Sequence, residues 1–243
     1  MKQKKGTSLV VGLVLLFLFW QLLVIMTNNR AVPEPLATLK TGWEMKGLLL
    51  LHTGASSLRI TVALLLSLLI GVPLGIIFSR RSLANKLLGP LIYFLYPLPK
   101  VAFLPVFMLF FGLGNVSKIL LIFSIISIQV IVSIRDSVNE IPESYYLVMR
   151  NYNSSKSQEL KFLVLPALLP GLLSSLRIST GISLASLFFA ENYNTTYGLG
   201  YLILSAWSKM DYEEMFAGIL MIGVLGYLMF SGFDYLEQRF CRY

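Results

Sequence analysis

The sequence predicts an all-α membrane protein with six transmembrane helices. Three observations carry this: too few charges to cover a water-facing surface, apolar runs of bilayer length, and basic residues gathered in alternate loops. Charged residues make up 13% of the 243 positions and apolar residues 56%, against about 25% charged in soluble domains. The mean hydropathy is +0.74. A span needs about 20 apolar residues, so there is room for roughly six to eight helices and no large soluble catalytic domain.

The first span is predicted over about 9–27. Lys2, Lys4 and Lys5 precede the apolar run from Leu9 to Met26, a charged start like that of a signal peptide. The run of 18 residues is longer than a signal core, and NNRAVPEP after it offers no clear small-residue cleavage site, so the segment reads as a retained anchor. Residues 28–54 contain Pro33, Pro35 and Gly42, then an amphipathic stretch from Trp43 to Leu51 expected to lie along the interface. His52 is placed on the outer side, ahead of the second span. The remaining spans are expected at about 55–79, 90–111, 117–137, 163–190 and 214–236. Gly198 to Ser208 is too short to cross and reads as an interfacial or re-entrant helix.

The net charge of +8 is topological. Twelve of the twenty basic residues (Lys2, Lys4, Lys5, Arg80, Arg81, Lys86, Arg135, Arg150, Lys156, Lys161, Arg239 and Arg242) fall on one side. Five (Arg30, Lys40, Lys46, Lys118 and Lys209) fall on the other, and Arg59, Lys100 and Arg177 lie inside spans. The positive-inside rule puts both termini and the 138–162 loop in the cytoplasm. Charges dispersed over short loops form no stripe for nucleic acid. A lone cysteine, Cys241, and a lone histidine, His52, exclude an intrachain disulfide and any His-pair or Cys-based metal motif.

The 138–162 loop, VNEIPESYYLVMRNYNSSKSQELKF, has helical patterning rather than linker composition. Pro142 suits a first helical turn, and Glu140 and Glu143 favour that end through the helix dipole. Tyr145, Tyr146, Met149 and Tyr152 recur on one apolar face. Asn153 stands where the helix should end and tolerates a left-handed backbone. Ser154, or Ser155 with Glu159 near it, is then placed to cap a second short helix leading into Leu165-Pro166.

With these residues in view, the chain resembles the permease subunits of ATP-binding-cassette importers, in the nitrate/sulfonate/taurine-type branch. The family's EAA motif, Gly, aliphatic position and Leu-Pro keep their spacing here. Leu147, Val148 and Met149 stand at EAA, Asn153 at the Gly, Leu163 at the aliphatic position and Leu165-Pro166 at the Leu-Pro. The Glu and both Ala are missing, which implies a nonpolar, tyrosine-rich docking face. LLSLLIGVPLG, PLPKVAFLPVFMLFFGLGNVSKILLI, YGLGYLI and FAGILMIG extend the resemblance collinearly over most of 50–240.

The resemblance implies a type I importer transmembrane domain: residues 1–50 an anchor helix with an interfacial segment, residues 51–243 the permease core. It implies alternating access in the bacterial inner membrane by a homodimer embedded in lipid, with two cytoplasmic ABC ATPase subunits and an extracytoplasmic solute-binding protein. This chain would be non-catalytic and bind no cofactor, ATP and Mg being used by the ATPases. Pro142, Tyr145, Tyr146, Leu147, Val148, Met149, Arg150, Asn153, Leu165 and Pro166 would form the docking element. The branch handles nitrate, sulfonates, bicarbonate and thiamine precursors; YNTTYGLGY and Met210 to Tyr212 are similar to members linked to pyrimidine thiamine precursors.

Polar residues within the spans mark the candidate pathway. Pro97, Pro99 and Pro105 interrupt the third span with Lys100 between them; Pro97 and Pro99 break the helical hydrogen-bond ladder, and an intramembrane Lys is a functional residue by default. Ser175, Ser179, Ser183 and Ser186 share one face of the fifth span, where small hydroxyls either pack helices closely or line a wet pore. Glu191 and Asn192 stand at its outer end, as a gate, a binding-protein contact or a solvated loop acid. Gly71 and Gly75 form a helix-contact pair. Gly181-Ile-Ser183-Leu-Ala185 narrowly misses a hydrolase nucleophile motif, its final Gly absent and no base placed nearby. An ATP-independent secondary transporter or passive scaffold is the better rival.

Overall fold

The computed structural model describes the backbone of residues 5–79 and 83–241, and the side chains of 10–79 and 89–241. Lys2, Lys4, Arg80, Arg81 and Arg242, which entered the charge tally, lie outside the described residues, as do the side chains of Lys5 and Lys86. Among the described residues the regular structure is entirely helical. Five helices are long and apolar enough to cross a bilayer, and a bent pair supplies the sixth crossing when its halves count as one span.

Helix α1 (Lys5–Thr27) is apolar all round, and none of its 10–27 window is buried in the protein, as suits a lipid-facing span. Trp20 ties it down: the indole N–H donates to the Pro33 carbonyl at 3.0 Å, and the ring stacks on Phe216 with centroids 5.4 Å apart. Helix α2 (Pro35–Glu44) starts on a proline, whose missing N–H costs nothing in a first turn.

The second span begins earlier than position 55. Helix α3 runs unbroken over Lys46–Ile77, so the stretch from Trp43 to Leu51 is not one interfacial element. Its first part closes α2 and the rest opens α3. Leu49 is buried against the main core, and that burial decides the helix start, because no proline interrupts the stretch. His52 therefore lies within the span, 3% exposed, and not ahead of it.

The third span is not continuous either. Helix α4 (Leu83–Leu95) is followed by non-helical Tyr96–Pro99, a 3-10 turn over Lys100–Phe103, and α5 (Leu104–Phe111). The halves are bent by 87°. Pro97 and Pro99 each lack an N–H and each pushes the preceding residue out of helical conformation, so two in alternation break the helix outright.

Helix α6 (Asn115–Glu140) is the hub. Leu121, Ile122, Ile125, Ile126, Val130, Ile134 and Val138 are all buried, a helical repeat facing α3 on one side and α9 (Leu165–Glu191) on the other. Gly71 and Gly75 let α3 approach α6 closely. A Cβ on Gly75 would stand 2.6 Å from the Ile134 Cβ and 2.9 Å from the Ile131 carbonyl, so only glycine lets α3 lie there. Lys118, counted above with the outer loops, is instead a buried residue of α6 at 1% exposure. Helices α10 (Leu199–Ser208) and α11 (Tyr212–Phe240) close the bundle over α9.

Candidate functional site

Three polar or exposed features stand out: a helical loop at one end, a cavity at the broken span, and a buried clasp at the other end. The loop between α6 and α9 folds as predicted into α7 (Glu143–Asn151) and α8 (Lys156–Glu159). Pro142 stands one position ahead of the first turn predicted for it, at the N-cap of α7 in extended conformation and with no side-chain hydrogen bond. At the other end Asn153 is left-handed at φ +51°; its N–H reaches the Arg150 carbonyl at 2.9 Å and the Ser154 N–H reaches Met149 at 3.0 Å. That pair of bonds is a Schellman stop, in which asparagine is the next best residue to glycine. Ser155 caps α8 in a capping box, and its partner is Gln158 rather than Glu159, because Gln158 occupies the third helical position. Pro166 has no N–H for the carbonyl four residues back, and the turns over Leu160–Val164 widen into π geometry before α9.

Helix α7 does not present all of its aromatic residues alike. Tyr146 turns inward against the main core and Met149 is half-buried, while Tyr145, Leu147, Val148 and Tyr152 are exposed, Tyr152 at 81%. Arg150 and Asn153 are exposed beside them, Leu165 is exposed and Pro166 half-buried. The result is an exposed apolar surface on a helix with a fixed C-terminal stop, the kind of patch that marks a contact.

At the break between α4 and α5 lies a cavity of about 290 Å³. It brings together Pro99, Lys100, Ser179 and Ser186, four of the residues predicted for the pathway, with Tyr96 and Gln129. Lys100 Nζ donates to the Tyr96 carbonyl, and the Tyr96 hydroxyl donates to Gln129 Oε1 at 2.7 Å. Pro97 makes the break without lining the cavity. Ser175 lies away from it and donates to Leu172 within its own helix. Ser183 is fully buried and does not line it. The serine face thus divides: Ser179 and Ser186 line space, Ser175 and Ser183 pack. The hydroxyl of Ser183 has no hydrogen-bond partner, and His52 is engaged elsewhere, so no nucleophile–base pair forms at the Gly181–Ala185 near-motif.

Glu191 is not a solvated loop acid: it is fully buried. It accepts from Ser56 Oγ at 2.8 Å and from the Gly200 N–H at 2.8 Å, and it pairs with Arg59. Ser56 Oγ accepts from the Leu199 N–H at 2.9 Å, and His52 Nδ1 stands 2.8 Å from the Gly198 carbonyl oxygen and 3.0 Å from the Gly198 nitrogen, donating to the one or accepting from the other according to its tautomer. The start of α10, where a helix terminus leaves N–H groups without internal partners, is therefore clasped at three successive residues by His52 and Ser56 of α3 and Glu191 of α9. Arg59 Nε donates onward to Asn115 at 2.9 Å, and Lys118 donates to the Leu113 carbonyl at 2.9 Å. Gly198 sits at φ +151°, and a Cβ on Gly200 would stand 2.6 Å from the Phe188 carbonyl; neither place accepts a side chain. With its NH2 end inward, Asn192 donates to the Gly200 carbonyl at 2.9 Å and to Phe188 at 3.2 Å.

The clasp was legible only in part. His52, Ser56 and Arg59 are spaced four and three apart, one face of a helix, but with the helix expected to start at 55 that register was hidden. Tyr96 and Gln129 carried no signal of their own.

A fold with six crossings, a pinned helical loop and a broken third span sets the frame for comparison. The profile of the binding-protein-dependent transport system inner membrane component matches residues 67–242. The chain belongs to that family. The permease is 34% identical over 188 residues to the taurine transport system permease protein TauC of Escherichia coli K12, covering 77% of this chain and 68% of the relative. It is 30% identical over 230 residues to the putative aliphatic sulfonates transport permease protein SsuC of Bacillus subtilis 168, covering 92% and 83%. A chain of the MetNI methionine ABC transporter, solved in inward-facing conformations, shares the fold with a TM-score of 0.70 at 17% identity, over 81% of the permease and 97% of that chain. The permease is thus a multi-pass inner-membrane importer subunit, of a family that works with ATPase and solute-binding partners.

Proposed function

We propose that this permease forms a homodimer in lipid that moves a small solute inward by alternating access. Two cytoplasmic ABC ATPases drive it and an extracytoplasmic solute-binding protein delivers the solute. ATP and Mg are used by the ATPases; this chain binds no cofactor and does no catalysis. Residues 1–50 are the anchor and interfacial segment, 51–243 the permease core, a division of role that α3 crosses without a break. Both termini face the cytoplasm. The solute belongs with those named for the relatives, taurine, aliphatic sulfonates, bicarbonate and nitrate. In this reading Pro99, Lys100, Ser179 and Ser186 line the pathway, Pro97 bends it, Ser175 and Ser183 pack its wall, and Glu191 and Asn192 hold its outer end.

The observation that carries the reading is the loop. A helix stopped by a Schellman turn at Asn153, followed by a capping box at Ser155, is held by fixed hydrogen bonds where it turns toward α9, yet it exposes Tyr145, Leu147, Val148 and Tyr152. Force from a separate motor needs such an element, because a coil would absorb the movement. Leu165-Pro166 then passes it to α9. The test is capture of tagged permease from native membranes: an ABC ATPase is expected to co-purify in stoichiometric amount, and transport by the permease alone in vesicles without ATP would replace this reading with a secondary transporter.

A further inference from the structure

We infer that the cavity at the α4–α5 break is a transit subsite for a small soluble oxyanion, with Lys100 as the residue that selects charge. The inference rests on the pathway reading above and goes beyond it, because it places selection in the membrane part of the machine as well as in the binding protein. Among the described residues Lys100 is the sole charged residue lining the cavity, and no Asp or Glu lines it. One of its three N–H donors is taken by the Tyr96 carbonyl, which holds the ammonium beside the space and leaves two donors for a ligand. Ser179 lines the same space fully buried, and its hydroxyl has no partner, which an acceptor oxygen of a ligand would supply.

The Tyr96–Gln129 bond orients the Gln129 amide in the cavity lining, its oxygen taken and its NH2 left to donate. The chemistry is therefore one cation and several donors facing a volume of about 290 Å³, at the small end of ligand pockets, roughly 300–1,000 Å³. A sulfonate, carboxylate or nitrate group fits that donor set. A cation would meet Lys100 unanswered, and a neutral heterocycle would leave its charge unused.

The test is charge-selective thiol modification of the full permease in phosphatidylcholine vesicles. Ser186→Cys, and separately Gln129→Cys, are made in a Cys241→Ser background. Each is treated with anionic sulfonatoethyl and cationic trimethylammonioethyl methanethiosulfonate, with rates normalised to free cysteine. The anionic reagent is expected to react at least about tenfold faster than the cationic one, a ratio that a unit charge about 4 Å away produces even at the dielectric of water, and Lys100→Gln should bring the ratio near one. Equal rates with Lys100 intact would overturn the charge assignment and leave the pathway standing. No reaction of either thiol with either reagent would overturn the pathway itself. Protection that appears only when phosphatidylglycerol is added gives the cavity to a lipid headgroup and ends the solute assignment.

Discussion

Glu191 and Arg59 show what one buried charge requires of its surroundings. A carboxylate with no exposure is held by a guanidinium, a hydroxyl and a backbone amide, and removing one partner from such a pair typically costs about 3–5 kcal/mol because the other charge is left unanswered. Glu191→Leu and Arg59→Met are each expected to lower thermal stability in detergent strongly. The Glu191→Leu, Arg59→Met pair should lose clearly less than the sum of the single changes, and additivity would deny the coupling. A second residue carries a backbone rather than a charge. Asn153 is left-handed at φ +51°, a conformation that costs an ordinary L-residue roughly 1–2 kcal/mol. Asn153→Gly should be neutral to stabilising and Asn153→Val destabilising, read from the unfolding midpoint; equal behaviour would remove the Schellman stop from the account.

Among the elements, α3 and α6 depend most on close approach. Gly75→Ala puts a methyl against the Ile134 side chain and the Ile131 carbonyl, and backbone cannot step aside as a side chain can. Overpacking of this kind costs about 1–3 kcal/mol, so the variant should insert but unfold at lower temperature. The same change at Gly223, which faces open space, is the control. The broken span shows how far local chemistry reaches. Prolines at 97 and 99 foretold a kink, and two non-helical neighbours turned that kink into an 87° bend between separate helices. Elsewhere local signals matched well: the loop helix, its stop at Asn153 and the Ser155 cap were all legible, because capping is short-range hydrogen bonding.

At the scale of the whole molecule, a motor outside the membrane must push on something that does not deform. Tyr146 already packs into the permease core, so substituting it reports on folding. Tyr145, Val148 and Tyr152 are exposed and free of that core, so on the proposed docking role substituting them reports on coupling. Val148→Asp with Tyr152→Asp should leave insertion and thermal stability intact while ATP hydrolysis in the reconstituted complex ceases to respond to solute-loaded binding protein. Undiminished stimulation and uptake would deny the lever role.

Composition, run length and charge placement determined the membrane class, six crossings and the helical loop, since the bilayer imposes its demands on each span locally. Spacing around Leu165-Pro166 carried the family resemblance. The tertiary structure alone decided that α3 begins at Lys46, that the serine face splits between cavity and packing, and that Glu191 is a buried ion-pair partner. Those outcomes depend on which residues 56 to 146 positions apart come into contact, and periodicity along a chain holds no record of distance across it.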